Sequence, residues 1–157
     1  LASDMTADLS DVEFESTTSG NTITSNGVDF GSGSTVRFNG IGGEWTLQDN
    51  LETNNLYVVA GTLTTNNHRI DAGARFNTSG SSSKVINLGS SEIIAERWWV
   101  QGTNQTINAG TSTIVVSSFY GDTNGDGPYN YYDVVFDNYG DLRNTASFNK
   151  ITIPEGL

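Results

Sequence analysis

The sequence has no cysteine, one histidine, one methionine, two prolines and only seven basic residues among 157. Without cysteine, disulfides and thiolate metal sites are excluded. With a single histidine as well, a zinc centre has too few nitrogen and sulfur ligands. The seven basic residues face 18 acidic ones, for a net charge of −11. No basic face is available to neutralise phosphates, so nucleic acid is not an expected partner. An anionic membrane surface is disfavoured by the same repulsion. No run approaches the roughly 18 apolar residues of a membrane helix, so membrane insertion is not expected. No signal peptide is visible. The chain begins at Leu1 without an initiator Met, as expected of a processed product or a piece of a longer protein.

Charge and apolar residues are both scarce. Charged residues make up 16% and hydrophobic residues 35%, against about 25% and about 45–50% in an average soluble domain. Ser, Thr, Asn and Gly fill the difference. Disordered chains share that bias but lack aromatic and β-branched residues. This chain has three Trp, six Tyr and seven Phe, with many Val, Ile and Thr, so it reads as folded and β-rich.

Short β-type runs alternate with Gly, Ser and Asn: "STVRF", "EWTL", "LYVV", "GTLTT", "KVINL", "STIVV", "YDVVF" and "NKITI". Each is only about three to six residues long, which fits a sandwich, a barrel or a solenoid. Only "SDMTADL" near the start suggests helix, with Ser3 as its N-cap. "INLGSSEI" from Ile86 and "INAGTSTI" from Ile107 match at Ile, Asn, Gly, Ser and Ile, 21 residues apart. "IDAGARF" from Ile70 shares the start, and "VDFGSGSTV" from Val28 is a looser copy. Periods of about 20–30 residues mark coil-by-coil stacking, because each copy can bury its apolar face only against the next.

The expected fold is therefore all-β, a parallel β-solenoid of about seven short coils, with Gly and Asn at corners that need positive φ. The alternative is a β-sandwich. Residues 1–27 read as an N-terminal cap or entry segment and 28–116 as the solenoid repeats. Residues 117–157 read as final coils, with an acidic aromatic loop and a C-terminal arm.

"GEWTLQDNL", "NLYVVAGTLTTNNHRI", "VINLGSSEI" and "TINAGTSTIVV" resemble the Gly/Thr/Ser/Asn-rich repeats of secreted bacterial surface proteins and phage virion appendages. The resemblance spans roughly residues 28–153 and is one of style and spacing, not of a catalytic signature. It implies a right-handed parallel β-helix or a similar solenoid. It also implies an extracellular, cell-surface or virion-borne structural or receptor-facing module. The expected partners are other chains of such an assembly, further copies of this chain included.

One stretch carries candidate chemistry. In "DTNGDGPYNYYD", Asp122, Asn124 and Asp126 stand at alternate positions before Gly127, as in calcium loops whose oxygen donors converge on one ion. Pro128 would add its carbonyl, Asn130 the next position and Asp133 the closing carboxylate, where a Glu is usual. The expected cofactor is a structural Ca²⁺. The competing reading is an acidic turn, since Asn-Gly and Asp-Gly are turn dipeptides. Phe119, Tyr120, Tyr129, Tyr131, Tyr132 and Tyr139 crowd the same region. They serve either as packing over a coil end or as a face for a partner or a cell-surface glycan. Trp98 and Trp99 fall on opposite sides of a strand, so one ring is expected inside and the other is a further ligand candidate. Trp45 reads as core.

Catalysis finds little support. His68 has no G-x-S-x-G nucleophile nearby, and the acidic residues are scattered. A non-enzymatic module is expected, with a glycan-binding module as the alternative and a fragment of a polysaccharide-degrading β-helix enzyme as the third reading. Asn77 and Asn104 open N-x-[ST] triplets, which arise by chance in so polar a chain.

Overall fold

The computed structural model describes residues 10–121, 127–143 and 146–155. It contains thirteen strands and no helix among the described residues. The strands are β1 (Asp11–Phe14), β2 (Asn21–Ile23), β3 (Thr35–Leu47), β4 (Leu51–Glu52), β5 (Asn55–Thr64), β6 (Ile70–Asp71) and β7 (Arg75–Thr78). They continue as β8 (Lys84–Asn87), β9 (Glu92–Val100), β10 (Gln105–Asn108), β11 (Thr113–Tyr120), β12 (Tyr129–Arg143) and β13 (Ala146–Thr152). Every pairing is parallel, as a solenoid requires. "SDMTADL" lies outside the described residues.

Three ladders run along the column. In the first, Val12, Val36, Leu56, Phe76, Trp98, Phe119 and Leu142 stack in one register column, so a turn takes 20 to 24 residues. Seven rungs enclose about six turns, one fewer than expected from the sequence. At about 4.8 Å per rung the column is about 30 Å long. In the second ladder Trp45, Leu63, Ile86 and Ile107 stack. The third stacks Leu51, Ile70, Ile93, Ile114 and Val134. All of these except the half-buried Val12 and the exposed Leu142 at the two ends are buried.

The repeat thus has a physical meaning, with one correction. Ile86 and Ile107 pair directly. Ile70 does not join them, because its partners are Leu51 and Ile93 in the third ladder. The "VDFG" stretch also belongs to the third ladder, where Asp29 bridges to Glu52. The similar starts reflect two different corners with the same need: an outward polar residue, then a glycine or asparagine.

A second difference concerns strand length. "STVRF" and "EWTL" are two parts of β3, and "LYVV" and "GTLTT" are two parts of β5. The chain turns from the first ladder into the second without ending the strand. In β3 an irregularity between Asn39 and Glu44 makes the turn. In β5 it is made by Gly61 at φ 82°, where a Cβ would collide with the Gly40 and Gly43 carbonyls. β1 and β2, within the segment read as an N-terminal cap or entry segment, are rungs of the first two ladders.

The corners are closed by short polar side chains. Between the second and third ladders, Asn67 Oδ1 accepts from the Ser90 N–H at 2.9 Å, and Gly89 O accepts from the Thr111 N–H at 2.7 Å. Inside, Thr65 Oγ1 donates to Leu88 O at 2.9 Å and accepts from Ser91 Oγ at 2.7 Å. Lys84 is 1% exposed. Its ammonium donates to the carbonyls of Gly80 and Thr103, each at 3.0 Å.

Candidate interaction face

In a strand, alternate side chains face opposite ways, so each rung of the first ladder sends two positions outward. One outward column reads Glu13, Arg37, Tyr57, Asn77, Trp99, Tyr120, Arg143. The other reads Asp11, Thr35, Asn55, Arg75, Arg97, Ser118, Asp141. Four of the seven cationic residues lie here. The three carboxylates of these columns occupy only the first and last rungs.

Guanidinium groups and rings interleave along this face. Arg37 lies over Tyr57 at 5.2 Å, Arg75 over Trp99 at 5.4 Å and Arg143 over Tyr120 at 5.7 Å. The Trp99 and Tyr120 rings are 5.8 Å apart. Each cation–π contact is worth about 0.5–1 kcal/mol where partly exposed. Arg97 pairs with Glu96 at 3.2 Å and Arg143 with Asp141 at 2.7 Å. Arg37 and Arg75 have no carboxylate within 4.0 Å among the described residues. Arg75 makes only a long 3.4 Å hydrogen bond from Nη1 to Tyr57 Oη. Asn77, between Tyr57 and Trp99, is 1% exposed, and neither its Nδ2 nor its Oδ1 has a partner. Arg75 Nε is also buried and unpartnered.

The third ladder has the opposite character. Asp29, Glu52 and Asp71 follow one another on adjacent rungs. With Asn54 and Thr53 they line a trough of about 260 Å³. Arg69 bridges Asp71 at 2.7 Å, Glu92 at 3.4 Å and Glu52 at 3.6 Å. At another corner Asp49 accepts the backbone N–H groups of Ser25 at 2.7 Å and Asn26 at 2.6 Å. Burial alone would raise the Asp49 pKa. The hydrogen bonds from Ser25 and Asn26, helped by His68, outweigh it and hold the carboxyl below its ordinary value.

The aromatic candidates divide. Trp98, Tyr129 and Tyr131 are buried, so Trp98 is the inward ring of its pair, the two tyrosines take the packing alternative, and as ligand candidates all three are corrected. Trp98 stacks on Phe76 at 4.4 Å, and its Nε1 donates to Tyr131 Oη at 3.2 Å. Tyr131 in turn donates to Gly121 O at 3.0 Å. A ring so enclosed has no face for a sugar. Trp99 and Tyr120 are half-buried on the outward face, and Tyr132 is exposed. Trp45 is core, as expected.

Of the calcium candidates, Asp122, Asn124 and Asp126 lie outside the described residues, as does the Tyr139 side chain. Pro128 and Asn130 are exposed. Asp133 is half-buried and accepts from Asn149 Nδ2 at 3.1 Å. Among the described residues no three His, Asp or Glu side chains gather as a metal site would require.

Sequence reasoning missed Arg37, Tyr57, Arg75 and Asn77. The signal was present: these residues and Trp99, Tyr120 and Arg143 recur at one turn's spacing, two positions to a rung. It becomes visible only when each turn is laid over the next in its true register. Searches with the sequence and with the fold found no matching family model, no matching curated protein and no matching solved structure.

Proposed function

We propose that the chain is a non-enzymatic structural and interaction module of an exposed assembly, of the fibre, spike or adhesin kind, at a cell surface or on a virion. Its mechanism is geometric: a stiff column fixes the spacing of the side chains that it presents to partners. The observation that carries the reading is the filled interior. Stacked Val, Leu, Ile, Phe and Trp columns occupy it along the ladders, and parallel hydrogen bonding joins every turn to the next. Such a body resists bending because a bend would open the ladder on one side.

Glycan binding is the second reading. It is favoured by Trp99, Tyr120 and Tyr132, which remain at the surface. A degradative enzyme would find its carboxylates in the Asp29–Glu52–Asp71 trough.

Two measurements decide between column and catalyst. The chain is incubated with soluble polysaccharides, and polymer length is followed by light scattering while the protein's own X-ray scattering is recorded. Unchanged polymer and the profile of a compact folded particle, about as wide as its 30 Å column is long, are expected. Shortening of any polymer, or the profile of a flexible coil, would overturn the proposal.

A further inference from the structure

We infer that the outward face of the first ladder holds an extended polysaccharide bearing carboxylates, a chain of the uronic-acid class. The inference rests on the reading of the molecule as a display column and names what that column engages. Charge points to it first. In a chain with 18 acidic and 7 basic residues, the outward columns between the Thr35 and Ser118 rungs hold three arginines, of which Arg97 is paired with Glu96 beside the columns, and no carboxylate of their own. A neutral partner would give that segregation no purpose.

The guanidinium groups are also prepared for an anion. Arg37 and Arg75 lie on ring faces and have no carboxylate partner among the described residues. A guanidinium stacked on a ring keeps its N–H edge available for a two-point contact with a carboxylate. Holding it there in advance lowers the ordering cost of binding. The buried Arg75 Nε and the Asn77 amide lack partners, a condition native structures seldom leave unresolved. A small shift of Arg75 toward an arriving carboxylate would satisfy Nε.

The remaining groups select a sugar polymer. Thr35, Asn55 and Ser118 stand in the same columns as the arginines and suit a partner rich in hydroxyls. The rungs repeat at about 4.8 Å, comparable to one sugar unit, so arginines spaced along the column meet carboxylates spaced along a chain.

Binding of the intact chain to polygalacturonate, alginate and hyaluronate is measured by biolayer interferometry at low and physiological salt. Fully methyl-esterified polygalacturonate and poly-L-glutamate are run in parallel. At least one polyuronate should bind, more weakly as salt rises. Arg75→Gln should weaken it about tenfold or more, the loss of one charge-assisted two-point contact. Arg37→Gln should weaken it further in combination. Arg69→Gln, on the third ladder, should leave binding unchanged. Thermal melting checks that each variant is folded, and Arg37→Gln alone decides if Arg75→Gln is not. The inference is overturned if no polyuronate binds, if the esterified polymer or polyglutamate binds equally well, or if the folded arginine variants bind normally. Any of these would leave the polymer-length and scattering tests of the column untouched.

Discussion

Asp49 is one residue whose charge does structural work at a corner. Two backbone N–H groups of the preceding turn point at its carboxylate, and its pKa is lowered in the folded state. The sign follows. A carboxyl that ionises more readily when folded adds stability at pH values above its ordinary range, and that stability is lost as pH falls through the folded value. Asp49→Asn keeps one of the two acceptor oxygens and loses the charge, so it should lower stability by about 1 kcal/mol at neutral pH, the scale of one lost hydrogen bond. The difference between wild type and variant should shrink as the pH of the melt is taken down toward 3. A constant difference across that range would mean that the charge is not what matters at this corner.

At the scale of the element, a strand here is a set of rungs with an inside and an outside, and Trp98 and Trp99 test the assignment. Trp98 is buried between Phe76 and Phe119, with Tyr131 against its edge. Removing it leaves a cavity and takes away the N–H that donates to the Tyr131 hydroxyl, which keeps its own bond to Gly121 O. Trp98→Ala should cost about 3–5 kcal/mol in urea denaturation, and Trp99→Ala clearly less. The reverse order would place the wrong ring inside.

β3, β5, β8, β11, β12 and β13 were legible because β-branched runs bounded by Gly and Asn mark rungs. The stacking of Ile86 on Ile107 was legible because their corners share a sequence. β7 was not, because Arg75 and Asn77 flank its single inward Phe76 and dilute the apolar signal. The outward face was illegible for a related reason. Its members are polar or aromatic residues scattered through different turns, and a turn length that varies from 20 to 24 residues hides their alignment. The burial of Tyr129 and Tyr131 was equally hidden, since a tyrosine-rich stretch reads the same whether it caps a core or faces a partner.

For the molecule as a whole, the acidic loop poses the main thermodynamic question. If Asp122, Asn124 and Asp126 gather with Asp133 around a calcium ion, the ion binds the folded chain alone and stabilises it by mass action. A loop of this kind binds in the roughly micromolar to millimolar range typical of extracellular modules. Melting in millimolar calcium and then in excess EGTA should show a rise reversed by the chelator. Asp122→Ala, which removes the first carboxylate of the pattern, should abolish the rise. An unchanged melting temperature would return the stretch to its simpler role as a turn.

The register that places Val36 beneath Leu56 and Leu56 beneath Phe76 has a further consequence. Since each layer offers its successor nearly the same surface that it received, growth or loss of length is quantised. A whole layer can enter or leave and the neighbours still mate, whereas half a layer would set charged flanks against greasy ones. Lineages carrying such a scaffold are free to explore reach in discrete steps while the cross-section stays as it was.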